Sequence, residues 1–533
     1  MIREQLSLDL HKKIIVDLFA GGGGMSIGIE SALGRCVDVA VNHDEDAISM
    51  HEANHPQTRH YHSDVFEVCP REACGGRPVG LLHLSPDCTH HSQAAGGQPR
   101  NRKIRALSWV GLRWAGQVRP DVITLENVKQ IRNWGPLVAK RCAKTGRVIK
   151  LDGTVAAPGE RVPLDQQHLV PDPRRAGKTW QRFKAMLASM GYAVEEGMLM
   201  AADYGAATSR DRLFLIARCD GSPIVWPQQT HAAIETRKLS RWRHAADFID
   251  FSLPCPSIFG RKRELAEATK KRIAKGMVKF VLESPAPFIV PIAHFNGSSP
   301  VHSCAEPLRT ITAFPRGGAF SLVTPYLVQA NGGSRQMAGR PADMPLTTIT
   351  TTGSQQQLVT AHLATLRRNC VGRPLSDPLP VLTAGAEHHA LVSYQLTEAD
   401  LNVEDCDRAL RCAAFLISYY GTDNMRRPDA PLATVTTKDR LALVTVWIAG
   451  NPWVIVDIGL RMLTPRELYS CQGFPANYII ERGHDGRAFT KEAQVRMVGN
   501  SVSPLPAEEF IRVNCGHLAA WTTEDIRRRR FIA

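Results

Sequence analysis

Residues 14–217 sort into two hydrophobic periods. IIVDLF, Ile14–Phe19, is an apolar run broken only at Asp17, and it reads as a buried strand. Four glycines follow at 21–24, then a helix rich in small residues. Leu81–Leu84, Val122–Leu125 and Leu213–Ala217 are further short apolar runs. Between them, Leu107, Gly111, Trp114 and Val118 recur at helical spacing from Ile104 onward, and Pro120 stops the pattern. Trp180, Phe183, Leu187 and Met190 mark another helix, with Gly191 placed to end it. Strands alternating with helices predict a parallel, doubly wound, Rossmann-like α/β sheet.

Two stretches break this rhythm. Residues 141–178 are basic and rich in Gly and Pro, which predicts an inserted hairpin or long loop. From about 295 to 444 a degenerate unit repeats: a Pro-Leu pair, a short Thr-rich strand, a polar turn and a Leu-Val pair. It reads EPLRTITAFPRGGAFSLV, MPLTTITTTGSQQQLV, DPLPVLTAGAEHHALV and APLATVTTKDRLALV, opened by Pro307, Pro345, Pro378 and Pro431. Such repeats stack as supersecondary units and predict a β-rich region. The expected organisation is a first domain over 1–225, an inserted region over 226–460, a segment at 461–515 that returns to the first domain, and a basic tail at 516–533. The RRRR of Arg527–Arg530 reads as part of a solvated tail.

Composition narrows the class. The chain has 533 residues with hydrophobic and charged fractions of 44% and 22%, ordinary for a globular protein with a sizeable core. Its net charge of +14 favours a polyanionic partner, since neutralised phosphates release counterions. Thirteen scattered cysteines form no disulfide framework, and Cys69 and Cys74 have no second pair at zinc-ligand spacing, so no metal is expected. The N-terminus lacks a signal-peptide core, and no apolar run approaches the ~18 residues of a membrane span. These features predict a reduced, soluble, cytoplasmic protein.

Polar residues gather where the strands end. IIVDLF runs into Ala20 and Gly21–Gly24, GLLHL into SPDC with Cys88, and VITL into Glu126 and Asn127. In an open parallel sheet, ligands bind outside these carboxyl ends. A glycine run alone, or a lone cysteine alone, is weak evidence. Three chemically distinct strand ends pointing at one edge are stronger.

In order, these motifs resemble the DNA (cytosine-5)-methyltransferase family, of the prophage-like bacterial type with a long target-recognition region. DLFAGGGGMSIGIE is similar to its first motif, SPDCTHHSQAAGG to its nucleophile loop, and ENV at 126–128 to its acid motif. DYGAATSRDRLFLIA is similar to the motif ending in two arginines, RMLTPRELYSCQGFP to the ninth and QVRMVGNSVSP to the tenth. The resemblance covers about residues 1–225 and 461–510. It implies a methyltransferase sheet with an inserted, repeat-containing target-recognition domain, acting on cytosine in double-stranded DNA with S-adenosyl-L-methionine.

The resemblance assigns Cys88 as nucleophile, Glu126 as the acid near ring nitrogen 3, and Arg210 and Arg212 as the arginine pair. Those two lie two apart on an expected strand, so their side chains leave on one face. Phe19, Gly21 and Gly23 fall around the methionine part of the cofactor, Asp64 near the adenine amine, and Asn500 in the segment closing the pocket. The chain departs from the pattern at three places: Asp87 precedes the nucleophile where proline is usual, Thr208 stands for a usual glutamine, and His43 for the ribose-holding acid, a role that passes to Asp44 or Glu45. His90 and His91 read equally as phosphate or base contacts and as loop residues. A monomer without an obligate protein partner, bacterial or phage-encoded, is the expectation; restriction-modification is its class, with self-protection, defence evasion and regulation all open as its role. The competing readings are a catalytically inactive DNA-binding protein and an RNA cytosine methyltransferase.

Overall fold

The computed structural model describes residues 13–88, 90–91, 99–250, 253–277 and 451–520, and between 288 and 448 a set of strands and a few helical positions. It divides into two compact units. One holds the described residues up to Tyr204, then Asp211–Gln229 and those from Phe474 on; the other holds Gly205–Arg210 and Thr230–Gly473.

The first unit is built on seven strands: β1 (Ile14–Leu18), β2 (Val39–Asn42), β3 (Arg59–His62), β4 (Val79–Leu84), β5 (Val122–Asn127), β8 (Ala193–Met200) and β9 (Asp211–Arg218). A short pair, β6 (Leu137–Ala139) and β7 (Leu169–Pro171), stands apart. The sheet order is β3-β2-β1-β4-β5-β9-β8. The first five strands are parallel, as the alternating pattern predicts. β9 and β8 are antiparallel additions at the edge, which corrects the expectation of an all-parallel series. The connection from β8 to β9, residues 201–210, carries no crossover helix, so the chain reverses.

β1, β4 and β5 are buried along their whole length, which is why their apolar runs are uninterrupted. One face of the sheet is covered by α5 (Val110–Val118) and α6 (Lys178–Ser189), which bury Trp114, Trp180 and Phe183. The other face is covered by α1 (Gly24–Leu33) and the returning helix α10 (Pro504–Cys515), with Ile29, Phe510 and Ile511 in their shared core. The helix expected from Ile104 is broken into α4 (Arg102–Arg105), a 3-10 turn at Leu107–Trp109 and α5. α6 ends at Ser189, two residues before Gly191, whose φ of 89° fits the predicted stop.

Residues 137–171 form a small β lobe. β6 and β7 form its antiparallel stem, and bridges Arg141↔Val148, Ile149↔Val155 and Lys150↔Gln167 continue it outward.

The second unit is β-rich. Its antiparallel sheet runs in the order Phe288–Pro291, Phe320–Val323, Gln355–Thr365, His389–Glu398, Asn451–Met462, Thr445–Ile448. The Leu-Val pairs closing three repeat copies, at 322–323, 358–359 and 391–392, each lie in one of these strands. Pro307, Pro345, Pro378, Pro431 and Arg527–Arg530 lie outside the described residues. The helix α8 (Pro465–Cys471) starts on a reciprocal cap between Thr464 and Glu467. Glu467 also pairs with Arg461 at 2.9 Å, both buried. RMLTPRELYSCQGFP therefore organises its own turn through this pair.

Candidate active site

The glycine loop leaves β1 through a tight left-handed path. Phe19 has φ 65°, Gly21 54° and Gly23 82°. A Cβ on Gly21 would meet nothing nearer than the Phe19 carbonyl at 3.6 Å, so the space before it is open. Gly23 and Gly24 are different. Their added Cβ atoms would lie 2.0 Å from the Tyr478 hydroxyl and 2.0 Å from the Val502 carbonyl oxygen. Both glycines let the returning segment press against the loop. Tyr478 donates to the Gly22 carbonyl at 2.9 Å, and its hydroxyl lies 3.2 Å from His55 Nε2. Asn500, exposed, ends helix α9 (Lys491–Asn500), next to Ser501, whose hydroxyl lies over Gly22.

Of the two expected carboxylates, Asp64 is exposed just beyond β3 and spends one oxygen on the Phe66 N–H at 2.9 Å. Asp44 is more committed. It caps α2 (Glu45–Asn54) by accepting from the Ala47 N–H at 3.0 Å, and it pairs with Arg496. Arg496 also holds Asp46 at 2.7 Å, tying α9 to α2.

Below the loop lies a buried polar chain. The Ser26 hydroxyl donates to Asp17 Oδ2 at 2.8 Å and lies 2.9 Å from His51 Nε2, while His51 Nδ1 lies 2.8 Å from His60 Nε2. Since the single serine proton goes to Asp17, His51 donates through Nε2 and accepts from His60. Burial holds His51 well below the usual histidine range, with His55 and His60 adding to the effect. Burial also pushes Asp17 from its ordinary 3.8 up to about 7, against the lowering bond from Ser26.

The Cys88 loop leaves β4 and is fastened on both sides. Ser85 donates to the Phe19 carbonyl at 3.1 Å, and Asn127 donates through Nδ2 to the Pro86 carbonyl at 2.9 Å. The His91 N–H closes a turn on the Cys88 carbonyl at 2.9 Å. Beyond it, Arg105 holds the His90 carbonyl at 2.7 Å and the Gly135 carbonyl at 3.3 Å. Cys88 is partly exposed, and Asp87 before it is exposed.

The two histidines serve this anchoring. His91 is buried edge-on against Trp134, 5.7 Å between ring centroids, and burial pushes it down to about 3, with Arg105 adding to the effect. His90 accepts the Asn101 N–H through Nδ1 at 3.1 Å and is lowered by burial.

Glu126 ends β5 with only 6% of its surface exposed, and Arg212, 5% exposed, stands on neighbouring β9. Arg212 Nε lies 3.0 Å from Glu126 Oε1, an ion contact without the alignment of a hydrogen bond, so that buried oxygen still lacks a directed donor. Arg210 is buried but precedes β9, which starts at Asp211. The expectation that both arginines share one strand face therefore fails. The chain turns into the strand only after Arg210, and that residue groups with the second unit. Thr208 is also buried, with no hydrogen-bond partner for its hydroxyl among the described residues.

The structure thus fastens the Cys88 loop to the strand end that carries Glu126, which Arg212 contacts, and puts Phe19, Gly21 and Gly23 in one loop, against which Ser501, the neighbour of Asn500, is packed. Asn127, Arg105, Tyr478 and Arg496 were not singled out by sequence reasoning. Asn127 sat within ENV, so its motif was the available signal; Arg105 had none. Among the described residues no group of three His, Cys, Asp or Glu could share a metal ion, and no helix is long and apolar enough to cross a membrane.

The family model of C-5 cytosine-specific DNA methylase matches residues 14–136 and 172–271. The chain is 27% identical over 227 residues to the Type II methyltransferase M.AquIA of Picosynechococcus sp., covering 41% of this chain and 77% of that protein. It is 24% identical over 247 residues to the Type II methyltransferase M.SacI of Streptomyces achromogenes, covering 43% of this chain and only 53% of that protein. A solved structure described as a DNA modification methyltransferase candidate encoded within an E. coli prophage aligns at 15% identity and TM-score 0.35, over 94% of this chain and 97% of that one, too loosely to add to the argument. The matched region, which holds the glycine loop, the fastened Cys88 loop and the buried Glu126–Arg212 pair, is a C-5 cytosine-specific DNA methylase domain.

Proposed function

We propose that this DNA cytosine methyltransferase moves a methyl group from S-adenosyl-L-methionine to carbon 5 of a cytosine flipped out of double-stranded DNA. The observation that carries the reading is the Asn127 bond to Pro86, which ties the Cys88 loop to the strand end bearing Glu126. Thiol and carboxyl group are thereby kept at one strand edge, where nucleophilic and acid–base work on one ring is required.

The donor supplies an electrophilic methyl on sulfur. Open space at Gly21 and the exposed Asp64 carboxylate beyond β3 fit its methionine and adenine ends, with Phe19, Gly23 and Asn500 around the same loop. Asp44, engaged by Arg496, is the remaining candidate for the ribose.

Cys88 as thiolate forms a bond to carbon 6, and the ring's electron pair moves to carbon 5. Glu126 shares a proton with nitrogen 3 as negative charge develops there, which its donor-free buried oxygen suits. Arg212 holds Glu126 in place and compensates the carboxylate left as that proton passes to nitrogen 3. Carbon 5 then takes the methyl group, a base removes the carbon 5 proton, and the carbon–sulfur bond breaks to return the thiolate. The target carbon is stacked within a duplex, so the base must first leave the stack. Arg210 is assigned to the base or a neighbouring phosphate.

Purified protein with labelled S-adenosylmethionine and unmethylated duplex DNA, beside Cys88→Ala, tests this. Label at carbon 5 of a recurring site, absent in the variant, is expected. Tight DNA binding without label would make the chain an inactive DNA-binding protein, with Asp87 the first residue to revert to proline; label on RNA alone would change the substrate.

A further inference from the structure

We infer that the β lobe at residues 137–171 is a second DNA-binding element that grips duplex phosphates beside the target base; this rests on the DNA-methylating reading above. Three observations meet there. The family match stops at residue 136 and resumes at 172, so the lobe is an addition to the shared domain. Its stem is tied to the nucleophile loop: the Arg100 N–H donates to the Leu169 carbonyl at 2.8 Å, and Arg105 bridges the His90 and Gly135 carbonyls. The base of the lobe is therefore joined to the loop that carries Cys88.

The third observation is charge. The first hairpin, KRCAKTGRV at 140–148, carries Lys140, Arg141, Lys144 and Arg147 and no acid. The acids of the lobe lie on its other half, where Glu160 is held by Lys150, Asp152 turns back onto Thr154 and Asp165 is exposed. Lys140 and Lys144 are exposed and Arg147 half-exposed, and none of the three makes an ion pair among the described residues. An ordered hairpin presenting unpaired cations beside a DNA-modifying site matches the regular negative charge of a duplex backbone, which rewards each contact by counterion release. Phosphate contacts position a duplex without reading it, so the lobe adds grip and orientation rather than sequence choice.

The test uses the intact chain and a Lys140→Gln/Lys144→Gln/Arg147→Gln variant, with fluorescently labelled duplex DNA and salt from 50 to 200 mM. Each lost phosphate contact makes log affinity against log salt shallower by about 0.9, so three contacts give about 2.7, a difference of about 40-fold across that range. Equal binding of S-adenosylmethionine by both proteins reports that the fold is kept. A second variant replaces Arg141–Gln167 by Asn-Gly, since the Lys140 N–H already donates to the His168 carbonyl at 2.8 Å and the stem can close there. It keeps Lys140 and removes Lys144 and Arg147, so its slope should be shallower than that of the intact chain by at least about 1.8.

Superimposable salt slopes for all three proteins would overturn the proposal. Superimposable slopes together with a smaller sedimenting species on excision would replace it with protein docking through the exposed Leu151 and Leu164. Failure of the intact chain to bind DNA would instead remove the DNA reading of the whole protein, and the lobe's role with it.

Discussion

Arg212→Met separates the two things this arginine can do, holding Glu126 or holding substrate. The charges lie 3.0 Å apart with about a twentieth of each residue exposed. At an effective dielectric of about 20 that spacing corresponds to roughly 5–6 kcal/mol of attraction, an upper figure before desolvation is counted. Removing one partner of a buried pair leaves the other uncompensated and costs about 3–5 kcal/mol. Glu126→Gln alone should also destabilise, since it strands the guanidinium. The double variant should lose less than the two single losses together, with a coupling of about 2–4 kcal/mol. Urea unfolding of the four proteins measures this. Single-turnover methylation of the same set then asks where the activity goes. If Arg212 acts through Glu126, Arg212→Met slows the wild type strongly and the Glu126→Gln background hardly further. A coupling below about 0.5 kcal/mol would refute the pairing, because independent sites add to within that margin. An undiminished rate loss in the Glu126→Gln background would move Arg212 onto the base or phosphate.

Asn127→Ala frees the Pro86 carbonyl and should lower kcat by about 10²-fold with the donor KM unchanged, the loss expected for a misplaced reacting group; a changed donor KM with normal kcat would sink the clamp. Asp17 sits at about 7 in the folded protein against its ordinary 3.8, so the folded state holds that proton more tightly than the unfolded chain does. Its effect on stability worsens as pH rises through that window, by about 4 kcal/mol in all. Asp17→Asn should therefore flatten the fall in thermal stability between about pH 4 and 7, and parallel curves for both proteins would count against a buried, proton-holding Asp17. Gly24→Ala drives a methyl group against the Val502 carbonyl and should cost several-fold more stability than Gly21→Ala, which pays mainly the left-handed penalty of about 1–2 kcal/mol. Similar melting points for the two would deny the close approach of the returning segment.

The central strands were legible because burial on both faces leaves an unbroken apolar signature, as in β1, β4 and β5. β3 (RHYH) and β8 (AVEEGMLM) carry exposed and charged positions suited to a sheet edge and left no such run. The reversal of β9 was hidden for a related reason: a buried apolar strand reads alike in either direction. Cys88 and Glu126 stood out as candidates because polar residues close two apolar runs, Glu126 as the penultimate residue of β5 and Cys88 four residues beyond β4. The clamps were not, since Arg105 meets the His90 carbonyl and Tyr478 meets Gly22 across long sequence separations that local periodicity does not encode. Arg210 shows the converse error. Two-residue spacing implies a shared face only inside a strand, and β9 begins one residue too late.

The return of Phe474 and the following residues to the first unit has a consequence for how the protein is made. On the ribosome, the sheet, α1 and the glycine loop emerge first, while Tyr478, Val502, Phe510 and Ile511 wait behind Thr230–Gly473. At elongation speeds of about 5–20 residues per second, that stretch takes roughly 10–50 s. Throughout, the apolar surface of Met25, Ile29 and Phe214 stands without its later cover. Nascent chains at this stage are natural clients for holding chaperones, and the yield of active enzyme becomes a question of timing before it is one of final stability.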